Sequence, residues 1–226
     1  MIDGVTRGFK LSSLDIIPPS KRVLVKNYYS CFKYRHAVEA QILQEIENGR
    51  YIFSKEQPLI VSALGAIPKK NGGVRLIHDC SKPVGSAVND FAIKEDFRYQ
   101  TLQDAIEMVS PGDFMGKVDL QSAYRSVRVR PEERERLGIS WTFEGALHPS
   151  FLLDTALPFG HSRSPFVFNE LSQAVVRIMK SYGYDLVMAY LDDFLVAGKT
   201  FSKCKEALDF LIFILLWLGF SIAYSK

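Results

Sequence analysis

The chain has 226 residues, 47% of them hydrophobic and 23% charged, with a formal net charge of +3. That balance excludes a disordered polypeptide, and a charge so close to neutral identifies no partner. Residues 1 to 36, however, hold seven Lys/Arg against two Asp, a local 7 − 2 = +5. Such a segment could follow a phosphate backbone or simply form a solvated arm. Cys31, Cys80 and Cys204 stand far apart and outside any Cys-x-x-Cys pattern. They predict free thiols in a reducing, intracellular compartment, with no disulfide framework or zinc site. The N-terminus lacks the apolar core of a secretion signal, and Phe210 to Phe220 is too short to span a ~30 Å hydrocarbon layer. No membrane partner is expected.

Taken in chain order, "HAVEAQILQEIENG" repeats apolar residues at Val38, Ile42 and Ile46 and stops at Gly49, which predicts a helix. "LIVSALGAIPKKNGGVRLIHDC" predicts two strands joined by a basic turn, Lys69 to Gly73. "TLQDAIEMV" opens with Thr101 and Asp104 at capping-box spacing. "FMGKVDL" and "SVRVR" predict strands, and Pro131 begins a short charged helix or turn. "GISWTF" and "LHPSFLLD" predict a hairpin around Glu144-Gly145. Ser164-Pro165 predicts the N-cap and first turn of a helix to about Tyr182. "AYLDDFLVAG" is a hydrophobic hairpin with Asp192 and Asp193 at its tip, followed by an apolar helix over 202–218 and the short strand "FSIAY". Hairpins mixed with helices indicate an α+β fold.

Two adjacent carboxylates at a hairpin tip are ordinary turn chemistry when alone. Here a third, Asp119, ends the "MGKVD" strand 192 − 119 = 73 residues earlier. If both strands share a sheet, the carboxylates can converge, and such clusters persist by coordinating a hard cation such as Mg²⁺ or Mn²⁺. Two such ions can activate an attacking oxygen and hold a triphosphate. Lys69, Lys70 and Arg75 on the basic hairpin could meet phosphates or remain solvated, and Tyr124 could stack on a sugar. "LPFG", residues 157 to 160, is a tight turn that a nucleotide could approach. Tyr190 could be core. His78, His148 and His161 have no ligand spacing and are read as structural.

Together these segments resemble the reverse transcriptases of retroelements. "IPKKNGGVRLIHD" is similar to their fingers hairpin and "KVDLQSAYRSV" to the strand and turn carrying the first metal aspartate. "LPFGHSRSPFVFN" resembles the segment under the template, "YLDD" the Tyr-x-Asp-Asp signature, and "LGFSIAYSK" the strand that follows. "HDCSKPVGSAVND", "FRYQTLQDAIEMVSPGD" and "LGISWTF" resemble tyrosine-recombinase-encoding, DIRS-like retrotransposons more than retroviruses. His161-Ser162-Arg163 departs from the Leu-Arg/Lys-Ser more usual at that place.

The resemblance implies a right-hand polymerase with fingers and a palm, the palm an antiparallel sheet packed on helices. It implies a basic lead and helix over 1–50 and the reverse transcriptase domain over 51–226, with fingers about 51–113 and palm about 114–226, partly interleaved. Asp119, Asp192, Asp193 and the Leu120 carbonyl would form the metal site, taking two Mg²⁺ ions or Mn²⁺ in their place. Lys69 and Arg75 would clamp the phosphates of a dNTP, Tyr124 would exclude a 2′-hydroxyl, and Phe159 and Gly160 would support nucleotide and template. Lys226 would protonate the leaving pyrophosphate. The implied partners are a primed RNA or DNA template and dNTP. Thumb and ribonuclease H regions are expected in a parent polyprotein rather than here. An inactive relic, or a domesticated nucleic-acid-binding module of the same fold, is the alternative.

Overall fold

Local sequence chemistry sets most element boundaries in the computed structural model, which describes residues 1–13, 21–70 and 72–224. In chain order come α1 (Ile2–Arg7), β1 (Val23–Leu24), α2 (Tyr29–Lys33) and α3 (Arg35–Glu47). Strands β2 (Tyr51–Ser54), β3 (Ile60–Val61), β4 (Ala63–Pro68) and β5 (Val74–Asp79) follow, then α4 (Leu102–Met108). Next are β6 (Phe114–Gln121), β7 (Gly138–Trp141), β8 (Ser150–Asp154) and α5 (Ser164–Ser181). β9 (Val187–Tyr190), β10 (Asp193–Gly198), α6 (Phe201–Trp217) and β11 (Ser221–Ile222) complete a mixed α+β set. The predicted capping box forms at α4: the Thr101 N–H donates to the Asp104 carboxylate, while the Thr101 hydroxyl accepts from the Asp104 N–H.

The chain forms two compact units, each discontinuous in sequence. One holds Glu95–Ser126 and the described residues from Pro165 onward. Its antiparallel sheet has the order β11-β6-β10-β9, with Asp193 opposite Asp119 and opposite Tyr190. Phe194, Val196 and Val118 are buried on this sheet, and α6 buries Cys204, Ala207, Leu211, Ile214 and Leu215. Those five residues recur at helical spacing, and each fully buried leucine-sized side chain contributes about 1.5–3 kcal/mol. Gly116 lets α6 approach closely: a Cβ there would lie 3.2 Å from the Leu208 methyls. The opposite side of α6 stays exposed at Phe213, Leu216 and Trp217, so its apolar run is only half used by the sheet. Among the described residues no helix is long and apolar enough to cross a membrane.

The second unit comprises Ile2–Lys94 and Val127–Ser164. A five-stranded mixed sheet runs β1-β3-β7-β8-β2, and the β4–β5 hairpin stands as its own two-stranded sheet. The run "LIVSALGAIP" therefore splits at Ser62, whose N–H donates to Gly138 (2.9 Å) before the chain turns into β4. The core gathers Cys31, Val38, Ile42, Tyr51, Leu64, Ile139, Trp141 and Leu152. Cys31, Cys80 and Cys204 are buried free thiols.

Two expectations are corrected. "SVRVR" is not a strand. Val127 and Val129 alternate inward, but the segment makes only isolated bridges, Arg128 to Ala156 and Val129 to Phe9. Its neighbours diverge after one residue each, so no ladder can extend. Ser164 is the first residue of α5 rather than its cap, and its hydroxyl donates backward to Pro158 O at 3.0 Å.

Candidate active site

Asp119 lies within β6, two residues before the strand ends at Gln121, and is 6% exposed. The next residue, Leu120, donates its N–H to the Asp192 carbonyl at 3.1 Å, so the backbones carrying the two aspartates are tied directly. On the other side, Asp119 O accepts from Ala223 N–H (2.8 Å), just past β11. The tip is strained: Leu191 has φ +54 and Ser122, three residues after Asp119, has φ +53. Left-handed backbone costs a non-glycine residue roughly 1–2 kcal/mol, so it persists only where surroundings hold it. Part of the restraint is Ser172 of α5, a buried hydroxyl 2.7 Å from the Leu191 carbonyl. Gln100 steadies the preceding strand, accepting from Ala189 N–H (3.0 Å) and from the Gln173 amide (3.0 Å).

Asp193 is turned to Lys117, with a 2.9 Å ion pair between half-exposed side chains. Among the described residues no three His, Cys, Asp or Glu side chains are grouped to hold a metal ion. The backbone bond ties together the segments that carry Asp119 and Asp192. The donors expected there, the two carboxylates and the Leu120 carbonyl, are all oxygens. That set fits Mg²⁺, which commonly takes one or two carboxylates and completes its shell with substrate phosphates and water rather than a protein cage.

Tyr124 packs on Phe168, ring centroids 5.4 Å apart. Its phenol is pushed well above the usual range, first by burial and then by Tyr99, the Asp192 charge and Tyr190. The ring thus belongs to the surroundings of Asp192. Tyr190 is half exposed and pairs with Tyr99 at 5.3 Å, so it is not core.

Lys69, Arg75, Phe159 and Gly160 lie in the second unit. Lys69 closes the hairpin turn through Lys69 N–H to Gly73 O (2.7 Å), leaving Lys69 and Lys70 exposed. Arg75 on β5 lies over the Phe159 ring, 5.5 Å from its centroid, which joins two residues that the sequence places 159 − 75 = 84 apart. The turn docks on β5: His78 N–H donates to Phe159 O at 2.8 Å. Asn89, which has no sequence signal of its own, donates to Gly160 O (3.0 Å) and accepts from Ser162 N–H (2.9 Å). Lys226 lies outside the described residues.

Beneath this turn His161 is buried, its Nδ1 accepting from Arg163 N–H at 3.1 Å and its Nε2 meeting no hydrogen-bond partner among the described residues. Burial, with His78 and Arg163 adding to it, holds the imidazole down to about 3. The folded chain keeps His161 neutral, whereas the unfolded chain takes up a proton near pH 6.5. Stability is therefore fully present above about pH 6.5 and falls as pH drops toward 3. Urea midpoints should be lower at pH 5 than at pH 7.5, and His161→Gln should flatten that dependence. An unchanged pH profile in the variant would show that other groups carry it.

A family model described as reverse transcriptase (RNA-dependent DNA polymerase) matches residues 67–226, well over half of the sequence. The chain belongs to the reverse transcriptase family. It is 28% identical over 110 residues to the Gag-Pol polyprotein of Koala retrovirus, covering 48% of this chain and 6% of that protein. To the Transposon Tf2-3 polyprotein of Schizosaccharomyces pombe it is 22% identical over 191 residues, covering 84% and 13%. The fold is that of the foamy viral protease-reverse transcriptase, solved in complex with dsDNA: TM-score 0.73 at 18% identity over 94% of this chain and 42% of that one. Native prototype foamy virus protease-reverse transcriptase gives a TM-score of 0.71 at 18% identity, over 94% and 27%. The chain thus spans a small part of the polyproteins it matches.

Proposed function

We propose that this chain carries the fingers and palm of an RNA-directed DNA polymerase, adding deoxynucleotides to a primer 3′-hydroxyl on an RNA or DNA template. The observation that carries the reading is the 3.1 Å bond from Leu120 N–H to Asp192 O, which links the backbones of two carboxylates in a chain of this family. Two Mg²⁺ ions, or Mn²⁺ in their place, would supply polarisation of the phosphoryl oxygens and activation of the attacking hydroxyl. Asp119, Asp192 and the Leu120 carbonyl are the groups assigned to hold them. Asp193, which pairs with Lys117 at 2.9 Å, is assigned to complete the acidic cluster from the other face of the turn.

Lys69 and Arg75 are assigned to the phosphates of the dNTP, Phe159 and Gly160 to the support of nucleotide and template. Lys226 is assigned, from the sequence alone, to protonation of pyrophosphate. Within retroelements the DIRS-like grouping is proposed on the segments 78–90, 97–113 and 137–143. Buried reduced thiols agree with an intracellular site of action.

Primer extension on poly(rA)/oligo(dT), with Mg²⁺ and Mn²⁺ in parallel, tests the proposal. Incorporation of dTTP with either ion is expected. A folded chain that incorporates nothing with both ions overturns it in favour of an inactive nucleic-acid-binding module.

The sugar gate has its own test. Tyr124→Val should cost about 1–3 kcal/mol of stability, because the ring packs on Phe168. It should also raise ribonucleotide incorporation relative to deoxynucleotide by about 10- to 200-fold, the range open to a steric pocket. An unchanged preference for dNTP in a competition assay removes the gate assignment.

A further inference from the structure

Asp119 and Asp193 stand directly opposite each other on β6 and β10, so both side chains leave the same face of the sheet. Directly opposed residues hold their Cβ atoms about 4.5–5.5 Å apart, and like charges so placed repel. Lys117 lies two residues before Asp119, opposite Leu195, and therefore shares that face. Its ammonium meets the Asp193 carboxylate at 2.9 Å. The strand that carries one carboxylate assigned to bind cations thus supplies a cation of its own to another.

As a contribution to folding this pair is minor. The Lys117 and Asp193 side chains are 61% and 45% exposed, and ion pairs in such surroundings add little to stability. Their position gives them a different consequence. Lysine is a compact charge on a flexible stem, so it neutralises a carboxylate without imposing a fixed geometry and can be displaced from it. Tyr190, which faces Asp193 from β9, offers no competing cation. Asp119 is the buried member of the set, held within β6, whereas Asp193 sits where an incoming ion and the Lys117 ammonium meet the same oxygens.

We propose that Lys117 competes with the metal ions for Asp193, and so sets how tightly the acidic cluster takes them. With the ammonium in place, binding rests mainly on Asp119 and Asp192. With it removed, Asp193 is released as a further ligand, and the charge count of its oxygen ligands is what tunes the affinity of a divalent-cation site. The inference deepens the polymerase reading and rests on it only for the assignment of Asp119 and Asp192 to the ions. Plain repulsion is the alternative, since an ammonium disfavours a nearby divalent ion whether or not Asp193 is charged. The two differ in one respect: whether the effect of Lys117 passes through Asp193.

The test is a Mn²⁺ titration followed by electron paramagnetic resonance, without dNTP or nucleic acid. Lys117→Met keeps an unbranched stem and removes the charge, and it should tighten Mn²⁺ binding by about 3- to 30-fold. Lys117→Arg, which keeps the charge, should bind close to the parent value. Asp193→Asn should weaken binding only slightly in the parent and should cancel the gain in the Lys117→Met background. Thermal melting in chelator should move little for Lys117→Met, because an exposed pair adds little to folding. The proposal is overturned if Lys117→Met binds Mn²⁺ no more tightly than the parent, or if the gain survives Asp193→Asn. Absence of the gain while Asp119→Asn still loses Mn²⁺ removes the role of Lys117 and leaves the metal site standing. The full pattern in a chain that extends no primer removes only the polymerase reading.

Discussion

Asp119→Asn and Asp192→Asn are each expected to lower primer extension by about 10³-fold or more, because each removes a charge from the donors assigned to the ions. Stabilisation of several kcal/mol at the transferring phosphoryl group is lost with them, and every 1.4 kcal/mol is tenfold in rate. The substitution preserves side-chain shape, so circular dichroism and thermal melting should show an intact fold. Mn²⁺ binding, followed by electron paramagnetic resonance without dNTP, should weaken in both variants. Asp193→Asn should do less, since that carboxylate already faces Lys117 at 2.9 Å and is half exposed. Its removal frees Lys117 to shift toward the Asp119 side of β6, so a modest loss is expected there rather than none. Equal extension by parent and Asp192→Asn would remove the site assignment whatever the family. Equal losses for all three carboxylates would instead show that the Lys117 pair opens when substrate binds.

Much of the fold was legible in the sequence where short-range chemistry decides it. The capping box of α4, the β4–β5 hairpin and the β9–β10 hairpin around Leu191-Asp192 need only turn residues, caps and periodicity. "SVRVR" shows the limit of that logic. Its alternation is real, since Val127 and Val129 are buried, but a strand also needs a partner running beside it, and here each neighbour leaves after one bridge. The site divides in the same way. That Asp192 sits in a hairpin turn and Asp119 on a strand can be read locally. The sequence ends that strand at Asp119, however, whereas β6 runs on to Gln121 because β11 pairs beside it. The register that puts Asp193 opposite Asp119 likewise depends on which distant strands pair. Asp193 was expected to complete an acidic cluster, and its partner Lys117 becomes visible only once that register is known. Ser172, Gln100 and Asn89 give no signal at all, because a lone polar residue acquires meaning only from the backbone it meets.

Gly160→Ala should be among the most damaging substitutions of a single methyl in the chain. Gly160 has φ +126, outside what an L side chain adopts without strain. A Cβ there would also fall well inside van der Waals contact with the His78 carbonyl oxygen, and 3.0 Å from its carbon. Neither atom can yield easily. His78 belongs to β5, where it is paired with Leu64, and the turn is pinned at His78 N–H to Phe159 O, at Asn89 and through Ser164 to Pro158. Overpacking costs about 1–3 kcal/mol and the backbone conformation about as much again, so a loss of about 3 kcal/mol or more follows. For a chain of this size that lowers Tm by on the order of 10 °C. Gly85→Ala is the control. Its φ of +85 carries similar backbone strain, but nothing lies within 4 Å of a Cβ there. The difference between the two variants therefore isolates the clash from the strain. Activity should follow the same division: lifting the turn off β5 moves Phe159 from beneath Arg75, so Gly160→Ala should raise the KM for dNTP while Gly85→Ala leaves it near the parent value. If the two variants melt together, the docking of the turn against His78 is not what holds Phe159 in place.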